Sequence, residues 1–135
     1  MKNLIILSAL ILFGCSKAPQ DSFIGSWSYS GKGKLMTVPL TCSINLKISK
    51  EDKQYKLENL SLDLNPTVFG LSGGVFFHDA ILNIKDNNTM LTPVLPSSGS
   101  PITITFDKQT NQLTLNPNPC NGITTGNTLT KKQDD

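Results

Sequence analysis

Between Cys42 and Ile48 the chain alternates strictly, with Cys42, Ile44, Leu46 and Ile48 on one parity and Ser43, Asn45 and Lys47 on the other. A period of two places the apolar set on one face of a strand and the polar set on the opposite face, the pattern of a half-buried β-strand. The same alternation returns in Leu60, Leu62 and Leu64, and again in Ile102, Ile104 and Phe106. No window from residue 25 onward carries a sustained apolar stripe at helical spacing, so the chain reads as all-β. At 135 residues it has room for one domain.

Clusters of Gly, Pro, Asn and Asp divide this pattern into short strands. The first is expected over residues 25–30 and the second around Cys42 to Ile48. A charged turn at residues 50–53 leads to a third strand over residues 54–64, where a change of phase after Leu57 predicts a bulge. Residues 68–77 are apolar and glycine-rich, and hold one or two strands divided near Ser72, Gly73 and Gly74. Residues 80–85 and 89–95 flank Asp86, Asn87 and Asn88, which is hairpin chemistry. After a loop at residues 96–101, Ile102 to Phe106 and then Leu113 and Leu115 form a second hairpin about residues 107–112. A turn-rich connection around Cys120 precedes a last strand over residues 123–131. Eight or nine short strands with no crossover helix predict a small antiparallel, largely up-and-down β-barrel, with a two-sheet sandwich as the alternative. An eight-stranded barrel is just wide enough to be filled by side chains or to hold one small ligand.

Charge and motif content narrow the chemistry. Twelve Lys, no Arg and ten acidic residues give a net charge of +2, too balanced for a nucleic-acid footprint. His78 is the only histidine, so a cysteine–histidine metal centre lacks ligands, and no metal or other cofactor is expected. Adjacent His78 and Asp79 would point to opposite faces of a strand, and no Gly-x-Ser-x-Gly elbow presents a serine, so the pair reads as a surface turn and catalysis is not expected. The run Gly31, Lys32, Gly33, Lys34 lacks the upstream glycine of a phosphate loop, because Ser26 stands there. It reads as a solvated hairpin turn, with contact of Lys32 and Lys34 to anionic lipid as the alternative.

At the N-terminus, Lys2 precedes an apolar run from Leu4 to Phe13 that ends at Gly14 and Cys15. Ten helical residues rise about 15 Å, roughly half a hydrocarbon core, so residues 1–14 read as a secretory signal rather than a membrane span. The stretch Leu12-Phe13-Gly14-Cys15 resembles the signal of bacterial lipoproteins. That resemblance implies acylation of Cys15, with palmitate-type chains as the anchor, and a tether over residues 15–22. The strand pattern then gives a barrel domain over residues 23–132 and a tail over residues 133–135. Ser16 after the cysteine points to the outer membrane, with the domain facing the periplasm. With Cys15 assigned to lipid, Cys42 and Cys120 remain as an even pair in an exported chain and are expected to be disulfide-bonded.

The stretch Phe23-Ile24-Gly25-Ser26-Trp27 resembles the Gly-x-Trp opening of lipocalin-like barrels. There the tryptophan closes one end of the barrel, so Trp27 is a structural plug or a ligand contact. Phe69, Leu71, Val75, Phe76 and Phe77, on a segment loosened by Gly70, Gly73 and Gly74, either pack in the core or line a mouth or form an exposed patch. Trp27, Phe69, Phe76 and Phe77 are therefore the candidate contacts for a small apolar ligand. Two further resemblances suggest a protein partner, a lytic enzyme of the envelope. The order Gly25-Ser26-Trp27, Gly31 and Cys42 to Leu46 looks like the start of small barrel inhibitors of secreted metalloproteases, which insert a free N-terminal segment. Ser97-Ser98-Gly99-Ser100 is similar to the loop that lipoprotein inhibitors of lysozyme present.

Overall fold

The computed structural model describes residues 18–68, 70–95, 99–120, 123, 124 and 128–132. Eight strands follow in order: β1 (Gly25–Leu35), β2 (Val38–Glu51), β3 (Gln54–Val68), β4 (Leu71–Asp86), β5 (Thr89–Leu91), β6 (Thr103–Asp107), β7 (Gln112–Asn116) and β8 (Thr128–Lys131). Each pairs antiparallel with the next and β8 returns to β1, so the sheet is a closed up-and-down, lipocalin-like barrel and not a sandwich. The alternating residues of β2 face inward: Cys42, Ile44, Leu46 and Ile48 are all buried.

Local chemistry explains the register. Asp52 and Lys53 both have positive φ, 52° and 71°, between the paired Glu51 and Gln54. Such two-residue turns match the right-handed twist of the strands they join. In β3 the expected bulge is Glu58: Ile48 lies opposite Leu57 but Lys47 lies opposite Asn59. The extra residue lets Leu57 and Leu60 both point into the core, where each is fully buried.

Several expectations need correction, among them the strand expected over residues 89–95, which ends at Leu91. The run Gly31, Lys32, Gly33, Lys34 is not a turn but the second half of β1, and Gly31 and Gly33 continue the inward parity of Trp27 and Tyr29. Glycine is required at 33 because a Cβ there would collide with the carbonyl oxygen of Ile123, which accepts the Lys34 N–H at 3.2 Å. His78 and Asp79 lie within β4 rather than in a turn, with Asp79 at φ 56°. The break in the glycine-rich stretch falls at Gly70, φ 79°, instead of at Gly73 and Gly74, so β4 is continuous from Leu71. The last strand is shorter than expected, since Ile123 and Thr124 belong to a connection crossing β1 while β8 starts at Thr128. We expect Gly33→Ala to destabilise the fold by about 1–3 kcal/mol in a denaturant titration, the range for overpacking. Gly74→Ala, whose Cβ would meet open space, should leave the midpoint in place.

One end of the barrel is closed by aromatics. Trp27 is 0% exposed, sits edge-on to Phe106 at 6.2 Å, and donates its Nε1–H to the Phe23 carbonyl at 2.9 Å. Phe23, equally buried, ends a 3₁₀ helix, Pro19–Phe23, that lies across this end. From Pro19 the chain is thus wound and fastened. Its fastener is Asp21, whose Oδ1 accepts the Tyr55 hydroxyl at 2.5 Å and Lys50 Nζ at 3.1 Å. The Tyr55 hydrogen bond, aided by Lys50, holds the Asp21 carboxyl below its ordinary value of 3.8. A depressed folded-state pKa contributes stability that is complete above the unfolded value and lost as pH falls through the folded one. The wild-type melting temperature should therefore fall more steeply than that of Asp21→Asn once pH drops below about 4, near the reference carboxylate range. Equal slopes in a pH series of thermal melts would reject that role for Asp21.

Candidate apolar cleft

The strands differ greatly in length. Strands β1 to β4 have 11, 14, 15 and 16 residues, whereas β5 to β8 have 3, 5, 5 and 4. The short half closes the barrel only around the Trp27 end. Beyond it, the inner face of the long half needs other cover, and the connection after β7 supplies part of it. This connection is held by the Cys42–Cys120 disulfide, by the bond from Lys34 N–H to the Ile123 oxygen, and by the Tyr29 hydroxyl on Thr124 Oγ1 at 2.8 Å.

Among the described residues, an apolar cleft of about 350 Å³ lies between Leu35, Leu62, Leu64, Gly73, Gly74, Val75, Phe76 and Ile123. That volume is at the lower end of the small-molecule range, roughly 300–1,000 Å³. Gly74 faces Leu62 across the β3–β4 ladder, and a Cβ on it would meet nothing within 4 Å, so its missing side chain keeps the floor open. Phe76 is the extra residue of a second bulge, between the pairs Leu60–Phe77 and Ser61–Val75, and is 40% exposed at the rim. The lining carries no titratable side chain. Such a surface selects by shape and apolarity and offers no nucleophile, acid or base.

The candidate contacts are thereby separated. Phe76 lines the cleft, Phe77 packs against the core, and Trp27 is sealed at the other end. Phe69, Cys15, the stretch 1–14 read as a signal and the tail at 133–135 lie outside the described residues, as do Ser97 and Ser98. Gly99 closes that loop by donating its N–H to the Leu95 oxygen at 2.8 Å. The N-terminal segment that a metalloprotease inhibitor would insert is, over Pro19–Phe23, folded onto the barrel. Sequence reasoning missed Leu35, Leu62, Leu64, Gly74 and Ile123. The available signal was the alternation of Leu60, Leu62 and Leu64, which runs past the point where the shorter strands stop.

Tyr55 lies at the fastened end of β3 and Leu64 in the cleft, nine residues apart. At about 3.3 Å per residue the cleft opens some 30 Å along the strand from the N-terminal helix. Among the described residues no cluster of His, Cys, Asp and Glu could hold a metal, and no helix is long and apolar enough to cross a membrane. Fold and site together define a small up-and-down barrel, plugged at one end by aromatics and open at the other through an apolar cleft. No family model, curated protein or solved structure matches the chain.

Proposed function

We propose that the protein is a lipid-anchored lipoprotein of the outer membrane, facing the periplasm, that acts as a non-catalytic binding module for a small apolar ligand. The observation that carries the binding reading is the cleft itself: apolar on every side, bounded by Leu62, Leu64, Phe76 and Ile123, and kept open at Gly74. The anchor part rests on Lys2, the apolar run and the Gly14-Cys15 junction. With Cys15 acylated, several chains on one terminus would anchor the domain stably. The membrane is then joined to the plugged end, and the ligand enters at the opposite one.

The test is titration with a neutral fluorescent naphthylamine probe, monitored by the probe's own emission. Saturable binding that is lost in Gly74→Leu is the expected result. A protein that leaves the probe's emission unchanged, and that carries no small molecule by native mass spectrometry, would overturn the reading.

A further inference from the structure

Among the described residues, the outer edge of β4 is unpaired over most of its length. The ladder on that side, to β5, runs from Asn83 to Asp86, while between Leu71 and Leu82 the pairs found among the described residues are to β3. The cause lies in the sequence of β5. Thr92 donates its N–H to Ile102 on the β6 side at 3.0 Å, so the next N–H would point toward β4, and Pro93 has none. Thr92 Oγ1 takes the Ile102 N–H at 2.8 Å, which turns the chain further toward β6.

Sheet edges attract other strands, and proteins commonly blunt them with lysine, proline or a covering segment. The free half of β1 is protected in this way: it carries Lys32 and Lys34 and is bonded to Ile123. From Leu71 to Leu82, β4 has neither lysine nor proline; its guards are the bulge at Phe76 and the charged, left-handed Asp79, and beside them it shows Val75, 62% exposed at the cleft mouth, and Ile81, 44% exposed.

We infer that this edge pairs antiparallel with the same edge of a second copy, about a two-fold axis at His78. The spacing is self-complementary. Val75, His78 and Ile81 all lie opposite outward residues of β3, namely Ser61, Asn59 and Lys56. Each interval between them holds two residues, one of which absorbs an irregularity: Phe76 in the first and Asp79 in the second. Reversing the strand about His78 therefore sets Val75 against Ile81 of the copy, twice, and His78 against His78, with equal residue counts on both sides. Two exposed apolar pairs come into cross-strand contact and a row of unpaired backbone groups is satisfied, as an isologous interface requires. Because Gly73 to Phe76 belong both to this edge and to the cleft, the copy would also stand beside the cleft mouth. This inference does not depend on the apolar-ligand reading.

The test is disulfide cross-linking of the full chain in membranes of cells expressing it, oxidised with copper phenanthroline and resolved on non-reducing gels. A residue on the axis faces its own copy with Cβ atoms about 5 Å apart, close to disulfide reach. His78→Cys should give a covalent dimer, and Lys32→Cys on β1 should not. Chains carrying Val75→Cys and chains carrying Ile81→Cys should cross-link when co-expressed but not alone. Adding Val75→Lys to His78→Cys should cut the dimer yield about tenfold. Cross-linking of His78→Cys no greater than that of Lys32→Cys overturns the proposal, as does a product joined only to other polypeptides. A wild-type chain that sediments as a monomer in detergent at every concentration tested overturns it independently of any variant.

Discussion

Removing the disulfide with paired Cys42→Ala and Cys120→Ala substitutions is expected to lower stability by about 4.5 kcal/mol, the chain-entropy value for a loop of this length. The two cysteines are 78 residues apart, so the bond closes more than half of the chain. A loss of that size should depress the melting temperature by about 20 °C or more, followed by far-ultraviolet circular dichroism. Position makes the bond matter beyond entropy. Cys120 ties down the connection that carries Ile123, and Ile123 is both a wall of the cleft and the acceptor for Lys34. Loss of the bond should therefore weaken probe binding at temperatures where the barrel is still folded. A shift under about 5 °C would show that the sheet closure from β7 to β1 holds this segment unaided, contrary to the role assigned here.

Gly74→Leu is expected to reduce naphthylamine affinity at least about tenfold, equivalent to about 1.4 kcal/mol, with the melting temperature unchanged. The substitution is chosen for its neutrality elsewhere. Residue 74 has no positive φ to forbid a side chain, and a Cβ built there touches nothing. A leucine can then occupy the cleft floor opposite Leu62 without displacing the core. Gly73 is the contrasting neighbour: at φ 113°, with a Cβ that would strike the Leu62 backbone, its replacement should unfold rather than block. Trp27 offers a second check. Because it is 0% exposed at the plugged end, binding in the cleft should leave its emission unquenched, whereas a ligand in the plugged half would quench it. Unaltered affinity in Gly74→Leu would place the probe elsewhere on the protein.

The alternation at Cys42 to Ile48 and at Leu60 to Leu64 was enough to fix strands and their inward faces, because burial of one face of a pleated strand demands a period of two. The phase change after Leu57 carried the Glu58 bulge for the same reason. The aromatic candidates were harder to sort. Trp27, Phe76 and Phe77 are equally apolar as letters, and only the closed barrel separates plug, rim and core. Glycines misled in both directions. Gly31 and Gly33 resemble a turn in sequence, yet their role is to let Tyr29 and the Ile123 backbone cross the inner face of a strand. His78 and Asp79 resemble a turn too, because polar residues in a strand with a positive φ carry no distinctive pattern.

By itself, then, the sequence determined an all-β chain, the inward parity of its clear strands and the turns at 52–53 and 87–88, all of which follow from local periodicity and turn chemistry, while the pairing of Cys42 with Cys120 followed once the lipoprotein resemblance set Cys15 aside. The cleft and the bare edge of β4 were decided only in three dimensions. Both arise from the difference in length between the two halves of the barrel, and that difference depends on where strands from distant parts of the chain stop pairing. Pro93 ends one ladder, and the crossing at Gly33 covers part of the opening. Neither effect is visible until the strands those residues meet are in place.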